Sequence, residues 1–250
     1  MDERWKKILK ALAALLFWLA AWALLSHLVA RPLLLPGPAA VLRRLWALLG
    51  EGVFWSCLLT SLLRVLAGVL SATVLGVLLS ALCERFALAR TLFAPLLTAV
   101  KSTPVASFTI LVLLWLRREL VPAFIAALIV LPVVFANVSA GIRAIDPRLL
   151  ELAKVCRLGY WRTLRRVRVP SVLPQLRSAL RSALGFGWKA GVAAEVLTLP
   201  EKSIGRQIYE AKLYLQTEEL FAWTLAVIAV SLLLERALLF LLGGKEDGHA

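Results

Sequence analysis

The stretch Asp146–Pro174, DPRLLELAKVCRLGYWRTLRRVRVPSVLP, is a long polar and basic interval in a chain that is otherwise mostly apolar. Asp146 followed by Pro147 predicts the start of a helix. The aspartate side chain can accept a hydrogen bond at the cap, and proline has a preset φ and no N–H to leave unpaired. The chain is therefore predicted to leave the apolar environment here and to form a helix outside it.

The residues after this start predict two helical segments joined by a turn. Leu149, Leu152 and Val155 recur at helical spacing and predict one apolar stripe on a short helix. Gly159 is predicted to end that helix in a left-handed backbone conformation, and a second basic segment runs from there to Pro170. A helix, a glycine turn and a second helix, with one apolar face and many cations, indicate a segment that docks against a partner.

Composition indicates an integral membrane protein. The 250 residues are 61% hydrophobic and 18% charged, and the mean hydropathy of +0.84 exceeds that of a soluble domain. The net charge of +14 does not indicate nucleic-acid binding, because the cations lie in loops between apolar spans, as the positive-inside bias requires. Three cysteines without CxxC spacing and two histidines predict neither a disulfide framework nor a metal site.

The apolar runs predict an all-α integral membrane protein with six transmembrane helices in one domain that covers residues 1–250. Runs of this length match the thickness of a bilayer. The loop 143–175 separates the fourth span from the fifth. The six spans are predicted at about 8–29, 55–82, 88–116, 121–142, 176–197 and 220–242.

Charge predicts the orientation of these spans. The loop 143–168 holds eight cations against two acids, whereas the loop 198–219 is nearly balanced, so the first is predicted to be cytoplasmic and both termini with it. The apolar run 11–25 could instead belong to a cleaved signal peptide, but it is long for one and further spans follow. An uncleaved first helix is the favoured interpretation.

Small residues four apart predict close helix packing on two spans. Gly68, Ala72 and Gly76 form such a ridge on the second span. Gly187 and Gly191 form one on the fifth span, and Glu195 continues the same face. Glu195 is interpreted first as an interhelical hydrogen-bond partner, with a place in a substrate path as the alternative.

Polar groups within the spans are the candidate substrate path. Lys101 and Lys189 each lie about ten to twelve residues into a span, which puts both near the middle of the bilayer. They could line a path for an anion, or each could pair with an acid or with carbonyl groups of a broken helix. Pro104 is predicted to break the third span, and the hydroxyl groups of Ser102 and Thr103 can satisfy the carbonyl that it frees. The further candidates for the path are Ser102, Thr103, Asn137 and Trp188, which could stack on a ligand, although core packing is its favoured role.

No catalytic set is visible in the sequence. The chain has no GxxxxGK[ST] phosphate loop and no nucleophile beside a general base. The chain is therefore predicted not to be an enzyme and to hold no cofactor.

The segment ELAKVCRLGYWRTLRRVRVPSVLP resembles the EAA loop of permease subunits of ABC importers. It has an acid and a small residue on one helix, then a turn glycine, then a proline that ends the second helix. The resemblance covers roughly residues 36–242 and is greatest to the nitrate, sulfonate and taurine branch. The residues that carry this branch likeness are Asn137, Gly141, Arg143, Asp146-Pro147, Glu151, Trp188-Lys189, Ala193-Ala194-Glu195, Ile204-Gly205, Phe221-Ala222-Trp223 and Glu235-Arg236.

The resemblance implies a type I importer permease in a bacterial inner membrane. Two copies, expected to be identical, would form an alternating-access pore with lipid around it. Two cytoplasmic ATPase subunits would bind ATP and Mg, and an external binding protein would deliver a small anion such as nitrate, a sulfonate or taurine. One alternative for the transported solute is a thiamine-type pyrimidine. The alternative for the class of protein is a stand-alone secondary transporter or channel.

The resemblance also assigns the residues that would contact the ATPase. One departure concerns the turn: the glycine that the family usually has six residues after the glutamate is Arg157 here, so the turn is expected to shift to Gly159. The implied coupling set is Asp146, Leu149, Glu151, Leu152, Ala153, Val155, Arg157, Gly159 and Pro170.

Overall fold

The computed structural model describes residues 3–241, and every regular element within that range is helical. The first and last residues of the predicted domain, including the end of the predicted sixth span at 242, lie outside the described residues. The helices are α1 (Glu3–Val29), α2 (Pro38–Leu49), α3 (Gly52–Arg85), α4 (Ala87–Ser102), α5 (Val105–Val112), α6 (Val121–Arg143), α7 (Pro147–Val155), α8 (Tyr160–Thr163), a π-helical turn (Leu164–Arg168), α9 (Val169–Thr198), α10 (Ile204–Leu213) and α11 (Thr217–Leu241).

Four helices within the described range are long and apolar enough to cross a membrane. They are α1 from Leu12, α3, α6 and α11, and a fifth span results if the pair α4 and α5 counts as one. That pair bends by 107° at its break, which is far more than an ordinary proline kink. The residues predicted as the third span thus form two helices, α4 and α5, that meet at a sharp bend.

The predicted fifth span forms the long helix α9, although its composition is too polar for it to count as a span by itself. Arg177, Arg181, Lys189 and Glu195 lie along it. Helix α9 packs along α6 and α3 and buries Glu195, whereas Arg177 and Lys189 are exposed.

The centre of the core is formed by α3, α6 and α9, and α2, α10 and α11 add buried side chains around it. Helices α3 and α6 run in the same direction, since Gly68 faces Ala123 and Gly76 faces Val134 further along both helices. Helix α9 runs in the opposite direction. The backbones approach so closely that a Cβ at Gly68 would overlap the carbonyl oxygen of Ala123.

The glycines of α9 make equally close contacts with α3. A Cβ at Gly187 would lie 2.9 Å from Val69 Cγ2, and one at Gly191 would overlap the side chain of Val65. Ala72 is also buried, on the α3 side of the core. The small residues predicted to pack thus lie in helix contacts, and each of the four glycines lies where a Cβ would press on a neighbouring helix.

The end of the molecule that carries α2 and α10 is joined by charged side chains. Arg44 of α2 contacts Glu51 at 2.9 Å and Glu219 of α11 at 3.0 Å. Partial burial opposes the charged form of this guanidinium, but hydrogen bonds and attraction from Glu219 and Glu51 raise the pKa of Arg44. These contacts link α2, the start of α3 and the first turn of α11.

At the opposite end of α3, Glu84 contacts Arg143 of α6 at 2.6 Å and also pairs with Arg90 of α4. The α3 helix is thus connected to its neighbours by ion pairs near its C-terminal end as well as by the glycine contacts along its length.

Candidate functional site

The helix α7 begins as its sequence predicts. The side chain of Asp146 accepts a hydrogen bond from the backbone N–H of Arg148 at 2.8 Å, and Pro147 occupies the first helical position. Both features satisfy the unpaired first turn of a helix. A short helix without a large packed interface is thus stabilised at its start by its own residues.

The apolar stripe of α7 faces away from the rest of the molecule. Leu149 and Leu152 are exposed, and Val155 is 80% exposed. Glu151 is exposed beside them, whereas Ala153 is only 3% exposed. The stripe and Glu151 are therefore available to a partner, but Ala153 is a packing residue of the loop.

The turn after α7 contradicts the expectation for Gly159. Arg157 adopts the left-handed conformation, with φ 51°, and Gly159 is extended, with φ −63° and ψ 163°, as the cap of α8. Two hydrogen bonds close the turn, from Leu158 N–H to Ala153 O and from Arg157 N–H to Lys154 O, both at 2.9 Å. This is the hydrogen-bond pattern of a Schellman motif, which puts the left-handed residue two positions after the last helical one. The turn is not shifted, and Arg157 occupies the position where the family usually has glycine.

Pro170 also differs from its predicted role, because it does not end the second helical segment. Helix α8 continues through the π-helical turn into α9, and Pro170 lies in the first turn of α9. In a regular α-helix, the ring of Pro170 would clash with the carbonyl group four residues earlier. The wider π-helical turn lies directly before the proline, where this clash would occur. Ser171 donates its hydroxyl to Val167 O at 2.7 Å and satisfies one carbonyl of this turn.

The break between α4 and α5 is satisfied by hydroxyl groups, as the sequence predicts. Ser102 Oγ donates to Thr98 O at 2.9 Å, and Thr103 Oγ1 donates to Ala99 O at 2.8 Å. Pro104 has no N–H and caps the start of α5. Lys101 lies exposed in the last turn of α4.

Lys189 lies on the face of α9 that the other helices leave open. Ser182, Phe186 and Ala193 are exposed along the same face. Because a lysine in the middle of a span is costly against lipid, this face is suited to water or to another protein surface.

The break and the open face of α9 are close neighbours in the fold. Val105 and Phe108 of α5 pack against the apolar cluster that contains Ala190 and Ala194 of α9. Lys101 precedes Val105 by four residues, across the 107° bend, and Lys189 is next to Ala190. The fold therefore places α5, which follows the break, beside the segment of α9 that carries Lys189.

Two other candidates of the substrate path make hydrogen bonds within the protein. Trp188 is completely buried, and its Nε1 donates to the carbonyl oxygen of Val227 in α11 at 3.1 Å. Asn137 Nδ2 donates to Val133 O in its own helix at 2.9 Å. Stacking of Trp188 on a ligand is thus wrong for this structure, because the ring fills the core on the side of α9 that faces α11.

Glu195 is an interhelical hydrogen-bond partner, as its first interpretation states. Its Oε2 accepts hydrogen bonds from Ser61 Oγ at 2.8 Å and from the backbone N–H of Gly205 at 3.2 Å. The Nη1 atom of Arg64 lies 3.6 Å from its Oε1. A fully buried carboxylate with these partners is not open to a substrate in this structure.

Ser61, Arg64 and Gly205 belong to this cluster and are absent from the predicted site. One signal could have found Arg64: opposite charges within two different spans predict a pair, because each is costly to bury alone. Ser61 gives no such signal, since a serine within a span usually bonds its own helix.

An all-helical chain with several apolar spans, a helix broken at a proline, and a projecting helical loop is typical of a membrane permease. The model of the family described as "Binding-protein-dependent transport system inner membrane component" matches residues 72–242. The chain belongs to this family and is a multi-pass inner-membrane permease.

Relatives of known name agree with this assignment. The taurine transport system permease protein TauC of Escherichia coli (strain K12) is 23% identical over 223 residues, which cover 87% of this chain and 81% of that protein. The bicarbonate transport system permease protein CmpB of Synechococcus elongatus is 26% identical over 251 residues, which cover 94% of this chain and 89% of that protein.

Solved structures share the fold. A bacterial ABC transporter involved in the import of the acidic polysaccharide alginate matches with a TM-score of 0.64 at 15% identity, over 98% of this chain and 100% of that chain. At this identity the match bears on the fold only, and the neighbouring fold is that of an ABC transporter permease.

Proposed function

We propose that the chain is the permease subunit of an ATP-driven importer for a small anionic solute. Two copies form the path across the membrane, with α9 of each copy beside it, and each copy crosses six times if α9 and the pair α4 and α5 both count as spans. ATP and Mg are bound by two separate ATPase subunits, and an external binding protein delivers the solute. The charge of the loop 143–168 supports a cytoplasmic position for that loop and for both termini.

The exposed face of α7 is the observation that carries the coupling role. Leu149, Leu152 and Val155 form an apolar stripe outside the predicted spans that no other part of the described chain covers. An amphipathic helix that lays such a stripe into a groove is a common mode of protein recognition. Glu151 and the exposed arginines beside the stripe fix its orientation in the ATPase.

Charge reversal of Glu151 tests this coupling role. Glu151→Arg puts a cation into the docking face, so the amount of ATPase that co-purifies with the tagged permease is expected to fall about tenfold or more. Uptake falls with it, while the permease level in the membrane is unchanged. Lys212→Glu is the matched control, since it reverses an exposed charge on α10, far from α7 in the chain.

Wild-type co-purification of the ATPase with Glu151→Arg would contradict docking through α7. A loss of ATPase with Lys212→Glu as well would show that the effect is not specific to the loop.

The two midplane lysines support an anion as the solute. Lys189 lies on the open face of α9, and α5, which begins four residues after Lys101, packs beside that part of α9. Helix α5 also begins there with an N-terminus, whose partial positive charge favours anions. The names of TauC and CmpB refer to taurine and bicarbonate, which agrees with an anionic or sulfonate-bearing solute.

Removal of the lysine charge tests the anion path. The solute is first identified by ligand screening of the binding protein encoded beside this permease. Lys189→Ala is then expected to lower uptake of that solute by about tenfold or more, because one favourable charge contact with the anion is lost. Ser182→Ala, on the same face of α9, is the control for packing. Normal uptake by both Lys101→Ala and Lys189→Ala would exclude the lysines from the path.

A further inference from the structure

Glu195 joins three helices at one point. Its carboxylate lies at the end of α9 and accepts hydrogen bonds from Ser61 of α3 and from Gly205 of α10. Ser61 Oγ in turn accepts a hydrogen bond from the backbone N–H of Ile204 at 3.0 Å. All of these groups are buried. The cluster therefore connects the helices to one another and does not contact solvent.

The cluster satisfies the first turn of α10, which cannot satisfy itself. The N–H groups of Ile204 and Gly205 bind Ser61 and Glu195, and only the N–H of Arg206 binds the local cap, Ser203 Oγ, at 3.2 Å. First-turn N–H groups have no partner in their own helix and carry a partial positive charge, which a carboxylate stabilises. Two of the three first-turn groups are thus held by α3 and α9, so those helices set the position of α10.

Arg64 extends the same connection to the turn between α9 and α10. Its Nη2 donates to the carbonyl oxygen of Glu201 at 2.9 Å, while its Nη1 lies 3.6 Å from Glu195 Oε1. The turn contains two residues with left-handed backbone, Leu199 at φ 50° and Lys202 at φ 47°. Such a turn persists only where surrounding contacts hold it, and Arg64 and Glu195 supply those contacts.

Close backbone contact reinforces the hydrogen bonds. A Cβ at Gly205 would overlap Glu195 Cβ and the backbone of Val196, so α10 lies directly on the end of α9. Lys189 lies on the same continuous helix, on its open face. At 100° per residue, position 189 is about 120° around α9 from position 195. A displacement of α10 is therefore transmitted by α9 to the face that carries Lys189.

We propose that Glu195 is a positioning residue that locks α10, α9 and α3 into one rigid body, so that a protein binding at α10 displaces the Lys189 face of the path. The external partner and the path rest on the function proposed above. The lock itself does not, because it is built from contacts within this chain.

A distance measurement on the full chain in nanodiscs tests the lock without any partner. Spin labels are placed at Leu213→Cys and Phe186→Cys, which are exposed on α10 and α9. Cys57, Cys83 and Cys156 are replaced by alanine, and excess unlabelled chain ensures that only distances within one chain are measured. Glu195→Gln is expected to widen the distance distribution about twofold, because local order between the helices is lost.

The matched control is Glu210→Gln, which makes the same change on α10 but breaks only the contact with Arg206 within that helix. It is expected to leave the distribution unchanged. If Glu195→Gln does not fold, Ser61→Ala carries the same test, because it removes the hydroxyl that binds both Glu195 and the N–H of Ile204. A distribution as narrow as that of the wild type in a folded Glu195→Gln chain overturns the proposal.

The assembled importer provides the second readout. The ratio of ATP hydrolysis with the binding protein to hydrolysis without it is expected to fall about fivefold or more in Glu195→Gln, in the range of ordinary coupling between sites. A merely structural role would lower both rates alike and leave the ratio unchanged, which overturns the positioning role. If the binding protein does not stimulate ATP hydrolysis by the wild-type importer, the proposed function is contradicted instead. The distance measurement alone then tests whether Glu195 holds the three helices together.

Discussion

Arg157 is an arginine in a backbone conformation that favours glycine. The left-handed region brings Cβ close to the following carbonyl oxygen, which costs about 1–2 kcal/mol for most residues. Arg157 stays there because the Schellman hydrogen bonds to Ala153 and Lys154 require a left-handed residue at this position. Strain of this kind persists where surrounding structure determines the backbone.

Replacement of Arg157 by glycine is expected to strengthen the end of α7. Arg157→Gly removes the steric cost, so local opening becomes harder by about 1 kcal/mol and hydrogen exchange of the α7 amides slows by about fivefold. The measurement is hydrogen–deuterium exchange of the chain in nanodiscs. Gly159→Ala is the control, because a Cβ there meets open space and φ is −63°. If Gly159→Ala weakened α7 while Arg157→Gly had no effect, the left-handed residue would be Gly159 after all.

At the scale of elements, α3, α6 and α9 are held together by backbone proximity. Apolar side chains do not drive helix association in lipid as they do in water, so close contact between small residues takes over that role. Gly68 and Gly76 of α3 let α6 approach, and Gly187 and Gly191 of α9 let α3 approach. Helices α3 and α6 can therefore hold the more polar helix α9 in the bundle.

A methyl group at the closest of these contacts is expected to separate the helices. Gly68→Ala would place Cβ against the backbone carbonyl of Ala123, which cannot rotate away, so unfolding should become easier by about 1–3 kcal/mol. The measurement is unfolding of the purified chain in a denaturing detergent titration. Gly185→Ala on α9 is the control: no atom lies within 4 Å of its added Cβ, so stability should be unchanged or slightly higher. Equal losses in both variants would argue against close packing at Gly68.

At the scale of the whole molecule, the core bundle separates two sets of exposed groups. The α7 loop with its exposed cations extends from one side of α9, and α10 is held at the other end of α9 by Glu195. One long helix thus joins the proposed ATPase surface to the proposed outer surface. Movement at either surface can reach Lys189 through a single rigid element.

Thiol labelling tests which side of the membrane each surface occupies. Cys156 is an exposed native thiol at the end of α7, and Leu213 is exposed on α10. In intact cells that lack the ATPase, an impermeant maleimide is expected to label a Cys156→Ser, Leu213→Cys chain, because position 213 is external. Cys156 of the wild type should react only after permeabilisation. Labelling of Cys156 in intact cells would reverse the proposed orientation.

The sequence by itself determined the features that depend on neighbours along the chain. Apolar runs predicted the long apolar helices α1, α3, α6 and α11, small residues four apart predicted the closely packed faces, and Asp146 with Pro147 predicted the start of α7. The break at Pro104 and its hydroxyl partners were also predictable. Each of these depends on groups within about one or two helical turns, which the sequence lists in order.

Only the tertiary structure decided the features that depend on groups distant in the chain. Ser61 and Glu195 are 134 positions apart, and nothing local to either one predicts that they meet at the start of α10. The burial of Trp188 against α11 and the 107° bend after α4 likewise follow from packing between helices. The left-handed conformation of Arg157 also depends on contacts rather than on residue type. The hydrogen bonds that close the turn decide which residue is left-handed, and they select Arg157 instead of the nearby Gly159.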